Sequence, residues 1–471
     1  MSDDITSMNL TEVAKAIALK KLSSVEVTES CLTRMEKFAN TLQFAVEIEF
    51  NNARASAKKA DEKIAKRNPI GPLHGVPLAH KDMYYRKGRV SGCGSKIRKH
   101  FLPEQTSTAL QKLDDAGALD IARLNMVEFA LGVTGHNDVM PTPKNPWNKK
   151  NFTGGSSSGS GVAVSSRMIF GALGSDTGGS IRLPATCCGV VGMKPTAGRV
   201  SRYAAMPLSH SLDTIGPLTR TVKDNALILR TISGYDKNDP TTSHLSVPDY
   251  LANIESGVKN LRIGVPDIHF YDEIDSEVKR LMEESLDLFE KLGAKIIPVK
   301  IPPSIVDTNA LTIAIISSEG AALHHKWMRD RWKDYGPQTR TRFLLGLMIP
   351  AVRYNQALNL RTQILSEFSE AVFNTVDILH TPVITMPVPE YLDAHTTVDS
   401  GYLELITRFG HCTRPINYLG IPGLGIPCGF TSNGLPCSFQ LIGKPFDERT
   451  LYRAGYAYEQ ETNWSEQSPI P

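Results

Sequence analysis

The chain has no excess of charge of either sign: 52 basic residues against 49 acidic ones leave a net charge of +3 over 471 residues. That removes the positive surplus on which nucleic-acid or anionic-membrane binding draws. Long apolar stretches are missing too. The longest, Phe343 to Val352, is interrupted by Pro350 and bracketed by Arg342 and Arg353. A bilayer span needs about 20 residues, so no membrane span is expected, and the run reads as a buried helix end rather than a lip over a pocket. Cysteine is scarce, with seven residues and no C-x-x-C pair. An odd count without a framework fits a reduced compartment. Met1-Ser-Asp-Asp-Ile lacks an apolar signal core, and a cytoplasmic location is expected. Walker A, H-E-x-x-H and zinc spacings are absent, as is any G-x-G-x-x-G between a strand and a helix. Neither a metal nor a cofactor is therefore expected. None of the twelve histidines sits in a context that marks it as a base.

What is present is alternation. Helices are predicted over Leu10–Lys21, Ser24–Lys37 and Asn51–Lys66, the second opened by a Ser23/Glu26 capping box. From Gly71 short apolar runs stand between glycines and prolines. Gly75–His80, Ala118–Ala122 and Met168–Gly174 read as buried strands, with a helix at Thr108–Ala116 between the first two. Residues 234–260 are turn-rich and read as a surface connection. A strand at Leu261–Val265, a helix capped by Asp275 and a strand at Lys295–Ile301 follow. Val376–Leu379, Gly425–Cys428 and Ser438–Ile442 add further strands. The pattern predicts an α/β fold with a large mixed, mainly parallel sheet covered on both faces by helices. One domain over 1–471 is expected: helices 1–66, a core of about 67–233, and a sheet-completing half of about 261–460.

Two glycine-flanked serine turns stand out, Gly154-Gly-Ser156-Ser-Ser-Gly159 and Gly178-Gly-Ser180-Ile-Arg182. Glycine beside serine removes the Cβ that would keep a carbonyl away from backbone N–H groups. A flexible linker is the bland reading of the first run. Phe152 and Thr153 before it and Val162-Ala-Val after it place it inside continuous fold signal instead. Gly155-Ser-Ser157-Ser-Gly159 also fits the G-x-S-x-G elbow, with Ser157 as nucleophile. That elbow must follow a buried strand, and Asn148-Lys-Lys-Asn-Phe-Thr is polar. The turn at Ser180 does follow a strand-like run. Its successive N–H groups suit an oxyanion hole, with Asp176 and Arg182 expected to form an ion pair that holds its shape.

A hydroxyl nucleophile needs a base. Lys81 ends the apolar strand Gly75-Val-Pro-Leu-Ala-His, where desolvation would lower its pKa from about 10.4 towards the 7–8 that base catalysis requires.

Together these pieces resemble the amidase signature family. The residues carrying the resemblance are Gly154–Gly159, Gly174–Arg182, Lys81-Asp82 and the 24-residue step between Ser156 and Ser180. Pro141–Trp147, Gly192–Arg199 and Ile421–Gly429 extend it over nearly the whole chain. Ser158, Ser160 and His80 depart from the commonest pattern. The resemblance implies amide hydrolysis through a serine acyl-enzyme, without cofactor. Ser180 would be the nucleophile, Ser156 (on a cis peptide bond in the family) the proton relay, and Lys81 the base. The N–H groups of Thr177, Gly178, Gly179 and Ser180 would hold the oxyanion. Met126, Phe129, Phe343 and Leu347 are expected to contact the substrate. A free-standing monomer or homodimer acting on a small amide, with no nucleic acid bound directly, is the first expectation. The alternative is a glutaminase-like A subunit of a tRNA-dependent amidotransferase, against which Ser317–Trp327 is a poor match.

Overall fold

In a computed structural model of the protein, residues 2–391 and 400–470 are described. Eleven strands form one sheet. They are β1 (Ala45–Ile48), β2 (Pro77–Lys81), β3 (Leu119–Leu124), β4 (Gly171–Asp176), β5 (Val191–Lys194), β6 (Thr214–Thr219), β7 (Arg262–Pro266), β8 (Lys295–Val299), β9 (Ile378–Pro382), β10 (Gly423–Phe430) and β11 (Pro436–Gly443). Their order across the sheet is β1-β3-β2-β4-β6-β5-β10-β11-β9-β7-β8. The expected α/β class and mixed sheet are both found. Parallel pairs occupy two zones, β3-β2-β4 and β9-β7-β8, where helices intervene in sequence between the strands. The pairs between those zones are antiparallel, including the β10–β11 hairpin and the return of β6 onto β4. Antiparallel pairing therefore has a larger share than the βαβ reading implied.

Strands β2, β4, β5, β6, β9 and β11 are buried at every position. Only a sheet covered on both faces buries successive residues of a strand in this way. The Leu261–Ile301 unit joins the same sheet, because β7 pairs with both β8 and β9. Helix starts follow local chemistry: Ser23 Oγ accepts the Glu26 N–H in a capping box, and the Asp275 carboxylate accepts the Glu277 N–H.

The apolar run 343–352 is not a buried helix end. It is shared between the helices Pro337–Leu347 and Ala351–Phe373. Phe343 is fully buried, but Leu347 is 54% exposed and Met348 77%. Pro350 separates the two helices, and on the first of them only Phe343 and Gly346 of the run face inward, while Leu344, Leu345 and Leu347 face outward.

Candidate active site

Lys81 closes β2 and is completely buried. Its Nζ donates to Ser156 Oγ at 2.7 Å and to Ser175 Oγ at 2.9 Å. Burial lowers its pKa to about 7, against the opposing pull of Asp213 and Asp176. The neighbouring Asp82 does not pair with it. That carboxylate faces Arg123 Nη1 at 3.1 Å and accepts the Gly92 N–H. Ser156 is buried, and its peptide bond to Gly155 is cis. Two residues later the buried helix Ser158–Ser165 begins. The Ser157 N–H donates to the Ser180 carbonyl at 3.3 Å, which ties the two serine turns together.

Ser180 ends the turn that leaves β4 and lines a cleft with Thr177 and Gly178. Asp176 organises the turn from inside. Its carboxylate accepts the N–H of Gly179 at 2.7 Å and of Ile181 at 3.1 Å, and lies 3.1 Å from Arg182 Nη2. Arg182 also donates to Asn417 Oδ1, Gln440 Oε1 and the Thr413 carbonyl. Burial pushes the Asp176 carboxyl up, but Arg182 outweighs it and holds the group at about 2. The Gly179 N–H is thus committed to Asp176, which removes it from the expected four-donor oxyanion set. The N–H groups of Thr177, Gly178 and Ser180 have no hydrogen-bond partner among the described residues.

The expected substrate contacts do not reach the cleft. Met126 and Phe129 are buried behind it. Phe129 meets His324 edge-on at 4.3 Å, and Phe343 stacks on the same ring at 4.3 Å. Leu347 points to solvent. The cleft is lined instead by Ala130–Val133, Leu208, Ile313, Ile316, Ser317, Arg342 and Arg414. Adjacent helix positions are rotated by about 100°, so with Phe343 inward it is Arg342 that meets the cleft. Sequence reasoning also missed Ser175, whose contact with Lys81 arises from the pairing of β2 with β4.

The profile of the family described as "Amidase" matches residues 26–452. The chain belongs to the amidase family. It is an enzyme acting at carbon–nitrogen amide bonds. A curated protein of Geobacter sp. (strain M21), named as the A subunit of glutamyl-tRNA(Gln) amidotransferase, is 36% identical over 98% of each chain. The solved A subunit of the same name from Thermotoga maritima is 31% identical, with a TM-score of 0.82 over 99% of this chain and 98% of its own. A second solved amidase-fold structure comes from a vestigial protein complex described as revealing the origins of an s-triazine catabolic enzyme. It is 30% identical, with a TM-score of 0.89 over 96% of this chain and 98% of its own. These relatives overturn the expectation of a free-standing monomer or homodimer with no nucleic acid bound directly. The first two are components of a larger enzyme by name, and that enzyme is named for glutamyl-tRNA(Gln). The mismatch at Ser317–Trp327 that favoured a free-standing enzyme is local, whereas the likeness spans nearly the whole amidase chain. Among the described residues no helix is long and apolar enough to cross a membrane.

Proposed function

We propose that this amidase is the amide-hydrolysing A subunit of a tRNA-dependent amidotransferase, with Ser180 as nucleophile, Ser156 as proton relay and Lys81 as base. The observation that carries the chemistry is the 2.7 Å bond from a fully buried Lys81 to Ser156. A lysine with a pKa of about 7 is neutral in a large fraction of molecules at physiological pH, and so able to accept a proton. Lys81 draws a proton from Ser156 Oγ, and Ser156 in turn draws one from Ser180 Oγ. Ser180 then attacks the amide carbon. The oxyanion is received by the uncommitted N–H groups of Thr177, Gly178 and Ser180, where a single donor of this kind is worth about 3–4 kcal/mol of barrier. Ser156 returns the proton to the leaving nitrogen and ammonia departs. Water then attacks the acyl-enzyme by the same relay. Asp176 and Arg182 act by fixing the turn. The assembly half of the reading is supported by the relatives that are named as A subunits. Seven free, buried cysteines support a reducing compartment such as the cytoplasm.

The test is a reconstitution with the remaining subunits plus glutamyl-tRNA(Gln), following both ammonia release and conversion of the tRNA-bound glutamate to its amide. The reading predicts conversion that is lost in Ser180→Ala. Turnover of free amides that never responds to tRNA or to partner chains would overturn the assembly half. Turnover that survives Ser180→Ala would overturn the chemistry.

A further inference from the structure

The turn that carries Thr177, Gly178 and Ser180 is held from inside by Asp176, and a second tie holds it from the side. Thr177 Oγ1 donates to Asp213 Oδ1 at 2.6 Å. The other oxygen of that carboxylate accepts the N–H groups of Leu208 and Ser209 at 2.9 and 3.1 Å. The Asp213 N–H returns to the Ser209 carbonyl at 3.1 Å. Residues 208–213 therefore close into a turn around the Asp213 carboxylate, which has one oxygen left for Thr177.

This closed turn runs between two spaces. Leu208 lines the cleft in front of Ser180, whereas Met206, Pro207 and Asp213 line a second cavity of about 360 Å³. A segment flanked by cavities depends on its hydrogen bonds for its position more than one packed on both sides.

Those bonds come from Glu319, in the helix Thr308–Asp330. One oxygen of its carboxylate accepts the Ser209 hydroxyl and, at 3.0 Å, the Ser211 N–H. The other accepts the Ser211 hydroxyl and, at 2.9 Å, the Tyr354 hydroxyl. Four donors fill the acceptor capacity of a carboxylate. Burial raises the Glu319 carboxyl, but the donors outweigh it and hold the group below its ordinary value. Arg361 Nη1 adds a bond to the Ser211 carbonyl at 2.7 Å. A charge buried this deeply is costly unless it is satisfied, and every bond that satisfies Glu319 from outside its own helix, except that of Tyr354, comes from the 208–213 turn.

We propose that Glu319 is a positioning residue for amide cleavage. It fixes the 208–213 turn, and through Asp213 and the Thr177 hydroxyl it sets where the Thr177 N–H meets the oxyanion. The inference rests on the reading of Ser180 as nucleophile and deepens it. A displacement of about 1 Å at such a group is enough to cost about 10²-fold in rate.

The test uses the full chain and an alkyl fluorophosphonate, a probe that does not depend on the natural amide. Ser180 Oγ bonds to phosphorus, the P–F bond breaks, fluoride departs, and the hydroxyl proton passes to Ser156. The phosphoryl oxygen takes the place of the oxyanion. Labelling rates are compared in wild type, Ser180→Ala, Glu319→Met, Glu319→Gln, Thr177→Val and the double variant of Glu319→Met with Thr177→Val. Glu319→Met and Thr177→Val should each be labelled about tenfold to a hundredfold more slowly. The double variant should be no slower than the slower single, because both changes cut one chain of contacts. Glu319→Gln should recover most of the rate, since its amide oxygen still accepts two donors and its NH₂ can donate to two hydroxyls. Amide hydrogen exchange should quicken at residues 176–180 and 206–213 in Glu319→Met. Wild-type labelling of Glu319→Met, losses that multiply in the double variant, or unchanged exchange at 176–180 overturns the inference. If Glu319→Met does not fold, Ser209→Ala cuts the same chain more mildly and is read by the same cycle and the same exchange. Failure to label Ser180 in wild type, or equal labelling of Ser180→Ala, overturns the nucleophile reading, while the exchange measurement still decides whether Glu319 fixes the turn.

Discussion

Lys81 Nζ and Ser156 Oγ lie 2.7 Å apart, and neither side chain reaches solvent. The distance joins the end of β2 to a turn 75 residues further on, and under the proposed Lys81–Ser156 relay it would set the pH dependence of the enzyme. Burial has brought the lysine down to about 7, so the neutral, proton-accepting amine is present above that pH and is lost below it. The expected kcat/KM is level above about pH 7 and falls about tenfold per pH unit below it. A pH–rate profile taken between about pH 5 and pH 9 checks this. A flat acid limb would exclude Lys81 as base.

Ser175 Oγ is the second acceptor of the Lys81 ammonium, at 2.9 Å. Ser175→Ala removes a hydrogen bond that favours the charged form, so the acid limb should move to lower pH. Losing an acceptor for a charged donor costs about 1.5–3 kcal/mol, and kcat should fall about tenfold or more as the amine loosens. An unmoved limb with unchanged kcat would leave Ser175 without influence on the base.

Asp176 and Arg182 are both fully buried and 3.1 Å apart. Asp176→Asn leaves the guanidinium without its counter-charge, for which a loss of about 3–5 kcal/mol in unfolding free energy is expected. Urea unfolding measures it. A change under about 1 kcal/mol would show that the amides of Asn417 and Gln440 suffice to hold Arg182.

Gly179 has φ +127°, and a Cβ there would meet Thr413 Oγ1 at 2.4 Å. Gly179→Ala must therefore displace the turn, moving the neighbouring N–H groups off the oxyanion position. A loss of about 10²–10³ in kcat is expected, with little change in the circular dichroism spectrum. Near wild-type kcat would mean that the turn does not hold the oxyanion.

The strands were legible because each buried run in β2, β3, β10 and β11 stands between glycines, prolines or polar turns, and because Ser23 and Asp275 announce their helices by capping. The two serine turns and Lys81 were legible for the same kind of reason, since glycine-flanked serines and a lysine ending an apolar strand are local patterns. The cleft wall was not. Phe343 looked like a wall residue by hydrophobicity, but Gly320 leaves room for its ring inside the core, and the helix turns its neighbour Arg342 towards the cleft. Arg414 meets the Ser180 turn across more than two hundred residues, and no pattern within one strand or helix encodes that.

Intact-mass and peptide mass spectrometry of the enzyme, acid-quenched during turnover of a substrate amide, tests the central claim most directly. The account predicts an acyl adduct on Ser180, absent from Ser180→Ala, which should also have no turnover. Sustained turnover with Ser180 unmodified, or with alanine in its place, would contradict it.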